Sequence, residues 1–186
     1  MKINLIRHGK TEGNLTKKYI GSTDESLCPQ GRAELSETVY PDCDIVVTSP
    51  MKRCTETAEI IYPGKKPLIY DGLRECDFGR FEGKNHIEMN GDPEYQSWID
   101  KGGLAAFPGG EDSTAFRERS VGAFLRAVGE HGGVSVISFV VHGGTIMSVL
   151  ERLAVPHREF YEYMTENGHG YILSFDGERA KIRGRI

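Results

Sequence analysis

No two of the four cysteines in this 186-residue chain form a Cys-x-x-Cys pair; Cys28, Cys43, Cys54 and Cys76 stand 15, 11 and 22 positions apart. That spacing excludes a zinc knuckle and offers no disulfide frame, so four separate reduced thiols, mostly core filler, are expected. No apolar run approaches the ~18 residues of a membrane span. The first apolar stretch, Met1 to Ile6, meets Arg7 at once, too short a run for a secretion leader, and a cytoplasmic location is expected. Positive charge is not in excess: 23 Lys and Arg face 27 Asp and Glu, a net charge of -4. A nucleic-acid partner, which needs a basic face, is therefore not expected, and an anionic ligand would need a local cationic pocket. Internal repeats and low-complexity segments are absent as well. The length fits one domain of about 50 to 200 residues, here the whole span 1–186, and oligomeric state is not legible.

What is present reads as strands alternating with helices. Residues 2–7 form an apolar strand, followed by a polar loop from Gly9 to about Pro29 and a helix over 30–39. Asp44 to Thr48 reads as a second strand. Pro50 opens a helix whose Met51, Cys54, Ala58 and Ile61 recur on one face, and Pro63-Gly64 stops it. A third strand spans 67–70. The stretch 72–112 is irregular, with short helices expected at 84–90 and 93–100, and reads as an insertion draped over the sheet, with about 80–112 as lid. Ser113 or Thr114 caps a helix ending near Gly132-Gly133. Strand 134–141, a helix from Thr145 to Leu153 and a hairpin turning at Asp176-Gly177 complete the pattern. Such alternation implies an α/β fold with a mostly parallel central sheet and an antiparallel edge. The alternating Lys181, Arg183 and Arg185 suit the guarding of an open edge.

Two of these strands stop on a histidine followed by glycine, Arg7-His8-Gly9 and Val141-His142-Gly143-Gly144. Ligands of open α/β sheets sit beyond the carboxyl ends of the strands, so the two imidazoles can meet there although 134 positions separate them. Arg7 offers a planar fork of donors for phosphate oxygens, and an imidazole near its ordinary pKa of about 6.5 is substantially neutral and nucleophilic. Gly9 and Gly143 permit close backbone approach, and Asn14 offers a side-chain amide. The plainer reading is a pair of strand-end histidines bonded to turns. Arg53 lies in the first turn of its helix, where a cation is disfavoured; it either pairs with Glu56 or meets an anion at the helix start. Glu75 is the candidate acid–base residue, although the residues alone barely separate it from Asp77, Glu82 and Glu111.

The pieces Arg-His-Gly-x-Thr-x-x-Asn at 7–14, Ser-Pro-x-x-Arg at 49–53, Leu-Arg-Glu-x-x-x-Gly at 73–79 and Val-His-Gly-Gly at 141–144 together resemble the histidine phosphatase superfamily. The resemblance runs from Met1 to about Leu173 and implies the three-layer α/β/α, phosphoglycerate mutase-like fold. It implies further that His8 becomes phosphohistidine, that Arg7, Arg53 and a protonated His142 hold the phosphoryl group, and that Glu75 is the proton donor. Asn14, Thr11, Gly143 and the loop through Gly21 would line the pocket, with Asn167 at its edge. No metal or cofactor is implied.

Mutases of this superfamily carry extra sequence between the proton donor and the second histidine, whereas 67 positions separate Glu75 from His142 here. Pro108-Gly109-Gly110-Glu111-Asp112-Ser113 resembles a segment of the short phosphatase branch, which includes α-ribazole phosphatases. The expectation is therefore hydrolysis of a small phosphomonoester, with α-ribazole 5'-phosphate as a candidate. Phosphoglycerate mutase activity and a non-catalytic phospholigand-binding module are the alternatives. Phe81, His86, Tyr95, Trp98 and Phe107 are candidates for a lid or pocket wall, most of them expected as core of the insertion.

Overall fold

The computed structural model describes residues 1–186. Strand β1 (Lys2–Arg7) leads into a short helix α1 (Glu12–Leu15) and then α2 (Pro29–Glu37). Next come β2 (Ile45–Thr48), α3 (Lys52–Ile61), the two-residue β3 (Leu68–Ile69), α4 (Pro93–Asp100) and α5 (Ser113–Glu130). The chain ends with β4 (Val136–Val141), α6 (Gly143–Leu153), β5 (Gly170–Phe175) and β6 (Ala180–Arg185). The six strands form one sheet in the order β3-β2-β4-β1-β5-β6. The first four are mutually parallel, and β5 and β6 add an antiparallel edge.

Both faces of the sheet are covered, and the period-2 alternation of its strands sorts the layers. Ile3 and Leu5 of β1 and Ile137, Phe139 and Val141 of β4 face α5 and α6, where Phe124, Ile146 and Leu150 pack on them. Ile6 and Val140 point the other way and meet Cys54 and Ala58 of α3 and Tyr62 just beyond its end. Fully burying one such aliphatic or aromatic side chain is worth about 1.5–3 kcal/mol. Each central strand therefore contributes to two cores, and its position beneath the site is firmly held. All four cysteines are free and buried, as the spacing implied.

Several local readings change. The loop after β1 contains α1, opened by a box in which Thr11 and Asn14 cap its first turn; the apolar-pattern signal misses it because only four residues are helical. Residues 84–90 form turns, not a helix, since Asn85 Oδ1 takes the N–H groups of Ile87 and Glu88 and diverts the backbone. Asp112, not Ser113 or Thr114, caps α5 by accepting from Thr114 and Ala115. Helix α6 starts at Gly143 with His142 itself at the cap position, so Thr145 lies inside it. The hairpin turns where expected, with Gly177 at φ 111°, and β6 is an open edge carrying exposed Lys181, Arg183 and Arg185. No helix is long and apolar enough to cross a membrane.

Candidate active site

Register brings the two histidines together. Arg7 is paired with Val141 across β1 and β4, and Thr48 with Val140 across β2 and β4, so three strands end side by side. The residues that follow them, His8, His142 and Ser49, share the crevice beyond the strand ends. The His8 N–H bonds to the Val141 carbonyl at 2.9 Å, and the two imidazole centroids lie 5.3 Å apart at 66°. Both rings are buried.

His8 Nδ1 stands 2.7 Å from the Gly9 carbonyl. A carbonyl only accepts, so Nδ1 carries the proton and Nε2 keeps its lone pair. Burial, with Arg53 and Arg7 beside it, holds the His8 pKa well below 6.5. The hydrogen bond to Gly9 sets which ring nitrogen is free, while burial and the two arginines keep the ring neutral against the opposing pull of that carbonyl.

His142 departs from expectation. Arg53 Nε donates to its Nδ1 at 3.3 Å, and its Nε2 lies 2.8 Å from Ser49 Oγ. An Nδ1 that accepts leaves the proton on Nε2, so His142 is neutral here, not protonated. Burial first, then Arg53, depress its pKa well below 6.5. Cys54 Sγ sits 3.6 Å from the same ring, but burial pushes its thiol up to about 12, which leaves it without nucleophilic thiolate.

Arg53 is fully buried. Besides His142 it donates to the carbonyls of Thr23 and Gly21, each at 2.8 Å. The pairing with Glu56 is not formed, because Glu56 binds Arg32 and the Leu27 N–H instead. Loop 21–23 is held for Arg53 by Glu82, whose Oε1 takes the N–H groups of Gly21 at 2.8 Å and Thr23 at 3.0 Å. Gly21 is required there, since a Cβ would fall 1.8 Å from the Cys76 carbonyl oxygen. Arg7 donates through Nη1 to the Thr165 carbonyl at 2.8 Å, while its enclosed Nε has no hydrogen-bond partner. Burial lowers its pKa from the ordinary arginine value, yet guanidinium stays charged in proteins.

The carboxylates that the residues left unresolved are separated by the structure. Glu75 faces a cavity of about 330 Å³, which Arg7, His8, Asn14, Gly143 and Gly144 also line. Its Oε1 accepts from the Cys76 N–H at 3.0 Å and Oε2 from the Gly144 N–H at 3.3 Å. Burial raises its pKa, outweighing those two bonds and the nearby arginines. Asp77 instead holds the Gly79 N–H, Glu82 holds the 21–23 loop, and Glu111 pairs with Arg119.

Thr11, Gly21, Asn167, Arg53 and His142, all expected at the pocket, do not line the cavity; Arg53 and His142 lie fully buried behind it. Thr11 N–H and Asn167 Nδ2 donate to Asn14 Oδ1 at 3.1 and 3.2 Å, which fixes the Asn14 amide so that its NH₂ end is the one left to a ligand. Of the aromatics in the insertion, Trp98 and Phe107 reach the cavity, Phe81 and Tyr95 build the core beneath, and His86 is exposed. Tyr19, Phe116, Phe160 and Tyr161 also line it, with the cations Lys18 and Arg117. They come from segments far apart in the chain and carry no local signal. No group of three or more His, Cys, Asp or Glu side chains is placed to hold a metal ion.

The description "Histidine phosphatase superfamily (branch 1)" matches residues 3–185. A broad-specificity phosphatase of Saccharomyces cerevisiae is 30% identical, the match covering 94% of this chain and 80% of that protein. The adenosylcobalamin/α-ribazole phosphatase of Escherichia coli is 27% identical over 98% of this chain and 94% of its own. Among solved structures, the α-ribazole phosphatase of Shigella flexneri superposes with a TM-score of 0.85 at 25% identity, covering 98% of this chain and 95% of that one.

Proposed function

Because the chain belongs to the histidine phosphatase superfamily, we propose that it hydrolyses a small phosphomonoester through a phosphohistidine on His8, as one catalytic unit spanning 1–186. The observation that carries this is the pairing of an unprotonated His8 Nε2 with a raised-pKa Glu75 across one cationic cavity. His8 Nε2 attacks phosphorus while the bond to the ester oxygen breaks and that oxygen takes the proton of Glu75. Water then attacks the phosphohistidine, gives its proton to Glu75, and the N–P bond breaks to release phosphate. The Arg7 guanidinium, which lines the cavity and gives only Nη1 to the protein, is the donor for phosphoryl oxygens, and the buried Arg53 adds a fixed charge behind them. The Asn14 amide and the N-terminus of α6 at Gly143 are further donors. A phosphate dianion beside His142 favours its charged form, so the ring takes up a proton as substrate binds.

The substrate's body would lie against Tyr19, Phe78, Trp98, Phe107, Phe116 and Phe160. An apolar, aromatic wall of this kind suits an ester with a planar apolar group, in keeping with α-ribazole 5'-phosphate, and the volume is at the lower end of the ~300–1,000 Å³ common for small-molecule sites. Steady-state hydrolysis of 4-nitrophenyl phosphate, α-ribazole 5'-phosphate, phosphoserine and 3-phosphoglycerate tests the reading. The expected outcome is hydrolysis lost in His8→Ala and the highest kcat/KM for the aromatic-bodied metabolite. Full activity in His8→Ala refutes the mechanism, and indifference across the panel refutes the substrate.

A further inference from the structure

Glu111 and Arg119 lie outside the cavity, yet they form the densest polar contact behind Glu75. The Arg119 guanidinium, on α5, binds Glu111 through both carboxylate oxygens, Nε to Oε1 at 2.9 Å and Nη2 to Oε2 at 2.7 Å. Its Nη1 donates to the carbonyls of Gly72 at 2.9 Å and Arg74 at 3.0 Å, and Nη2 reaches toward the Glu75 carbonyl at 3.5 Å. All five N–H groups of the fork are thereby directed at acceptors. Glu111 returns to the same loop from the other side: its N–H bonds to the Asp77 carbonyl at 2.9 Å and its Oε2 lies 3.4 Å from the Asp77 N–H. The two segments touch backbone to backbone, for a Cβ on Gly110 would stand 2.4 Å from the Asp77 oxygen and one on Gly79 2.4 Å from the Gly110 nitrogen.

We propose that the Arg119–Glu111 pair is the positioning element for Glu75, fixing the backbone of residues 72–77 so that its carboxyl stays over His8. The proposal rests on Glu75 being the proton donor of the phosphatase reading. A surface ion pair is worth little, but this one is about three-quarters buried on each side chain, bidentate, and tied to three carbonyls of one loop. Neither partner is needed to bind phosphate, and no other cation holds those carbonyls. Lysine cannot replace the arginine, because a single ammonium has three donors on a flexible stem and cannot span four acceptor residues at fixed angles. The Phe116 ring, 5.2 Å below the guanidinium carbon, fills the space between this pair and Gly144, so the constraint extends to the second N–H that holds the Glu75 carboxyl.

The test separates loss of a proton donor from general loss of structure. An alkyl phosphate needs its leaving oxygen protonated, whereas 4-nitrophenyl phosphate expels a stable phenolate. In Arg119→Lys and Glu111→Gln, both in the full chain, the ratio of kcat/KM for the alkyl ester to that for the aryl ester should fall at least tenfold, since a general acid contributes about 10²–10⁴-fold. In a Glu75→Gln background either change should lower the alkyl-ester rate less than twofold, as expected for residues acting as a unit. Thermal unfolding confirms that the variants fold, and Glu111→Gln, which keeps the side chain's shape, serves if Arg119→Lys does not. Equal losses on both esters, or additive losses with Glu75→Gln, overturn the positioning role and leave the phosphatase reading standing. Failure of the unaltered chain to hydrolyse either ester overturns both.

Discussion

Two buried neutral histidines make fold stability depend on pH in a direction that can be worked out. Both His8 and His142 have folded pKa values depressed well below the ordinary 6.5. In the unfolded chain each ring takes a proton as pH falls through 6.5; in the folded chain it does not. The unfolded state then binds more protons, so stability is fully present above about pH 7 and is lost as pH falls through 6.5 toward the folded values. For a ring that stays neutral when folded, going from pH 7.5 to 5.5 costs about 1.4 kcal/mol, and the two rings together about 3 kcal/mol. At roughly 2–4 °C per kcal/mol for a domain of this size, Tm should drop by about 5–11 °C. Glu75 works in the opposite sense. Its raised folded pKa means that the penalty on its charged form is relieved as pH falls, so the drop lies toward the lower end. The assay is calorimetry or circular dichroism in phosphate-free buffer at both pH values, with His8→Asn and His142→Asn. Each substitution should remove about 3–5 °C of the pH-dependent drop. A drop of the same size in the unaltered chain and both variants would refute the assignment of neutral buried rings.

Other outcomes follow from single contacts. Arg53→Lys leaves the carbonyls of Gly21 and Thr23 without their shared fork, so kcat should fall about 10²–10³-fold, with a stability loss of about 1–3 kcal/mol in urea unfolding. Gly21→Ala drives a Cβ against the Cys76 carbonyl oxygen and should cost about 1–3 kcal/mol. Gly122→Ala, inside α5 where a Cβ meets nothing within 4 Å, should instead gain about 0.5–1 kcal/mol by the same measurement. Trp98→Ala, which strips part of the cavity wall, should raise KM for an aromatic-bodied ester several-fold more than for a small alkyl ester.

The strands and most helices were legible because their patterns are strong: β1 and β4 are apolar runs interrupted only by Asn4 and Ser138 in their interiors, α3 repeats its small and apolar residues on one face, and the Asp176-Gly177 turn announces the hairpin. The convergence of His8, Arg53 and His142 could be argued from strand ends and helix starts alone. Four kinds of information were not legible. Helix α1 is too short to show a period, and Asn85 turns a segment that composition alone leaves open. The protonation of His142 depends on which atoms of Arg53 and Ser49 face its ring, a matter of ångströms that no spacing encodes. Asp77, Glu82 and Glu111 look like equals of Glu75 until their partners are seen, because a carboxylate's role is set by the donors around it. The cavity wall is assembled from residues as distant as Tyr19 and Phe160, and only the fold brings them into contact.

The most direct test is rapid-quench trapping with a ³²P-labelled phosphomonoester, followed by alkaline separation of the protein. The expected result is acid-labile, base-stable label on the peptide containing His8 during turnover, absent in His8→Ala and persisting longer in Glu75→Gln. Turnover with no such label on the protein, or label that survives replacement of His8, would contradict it.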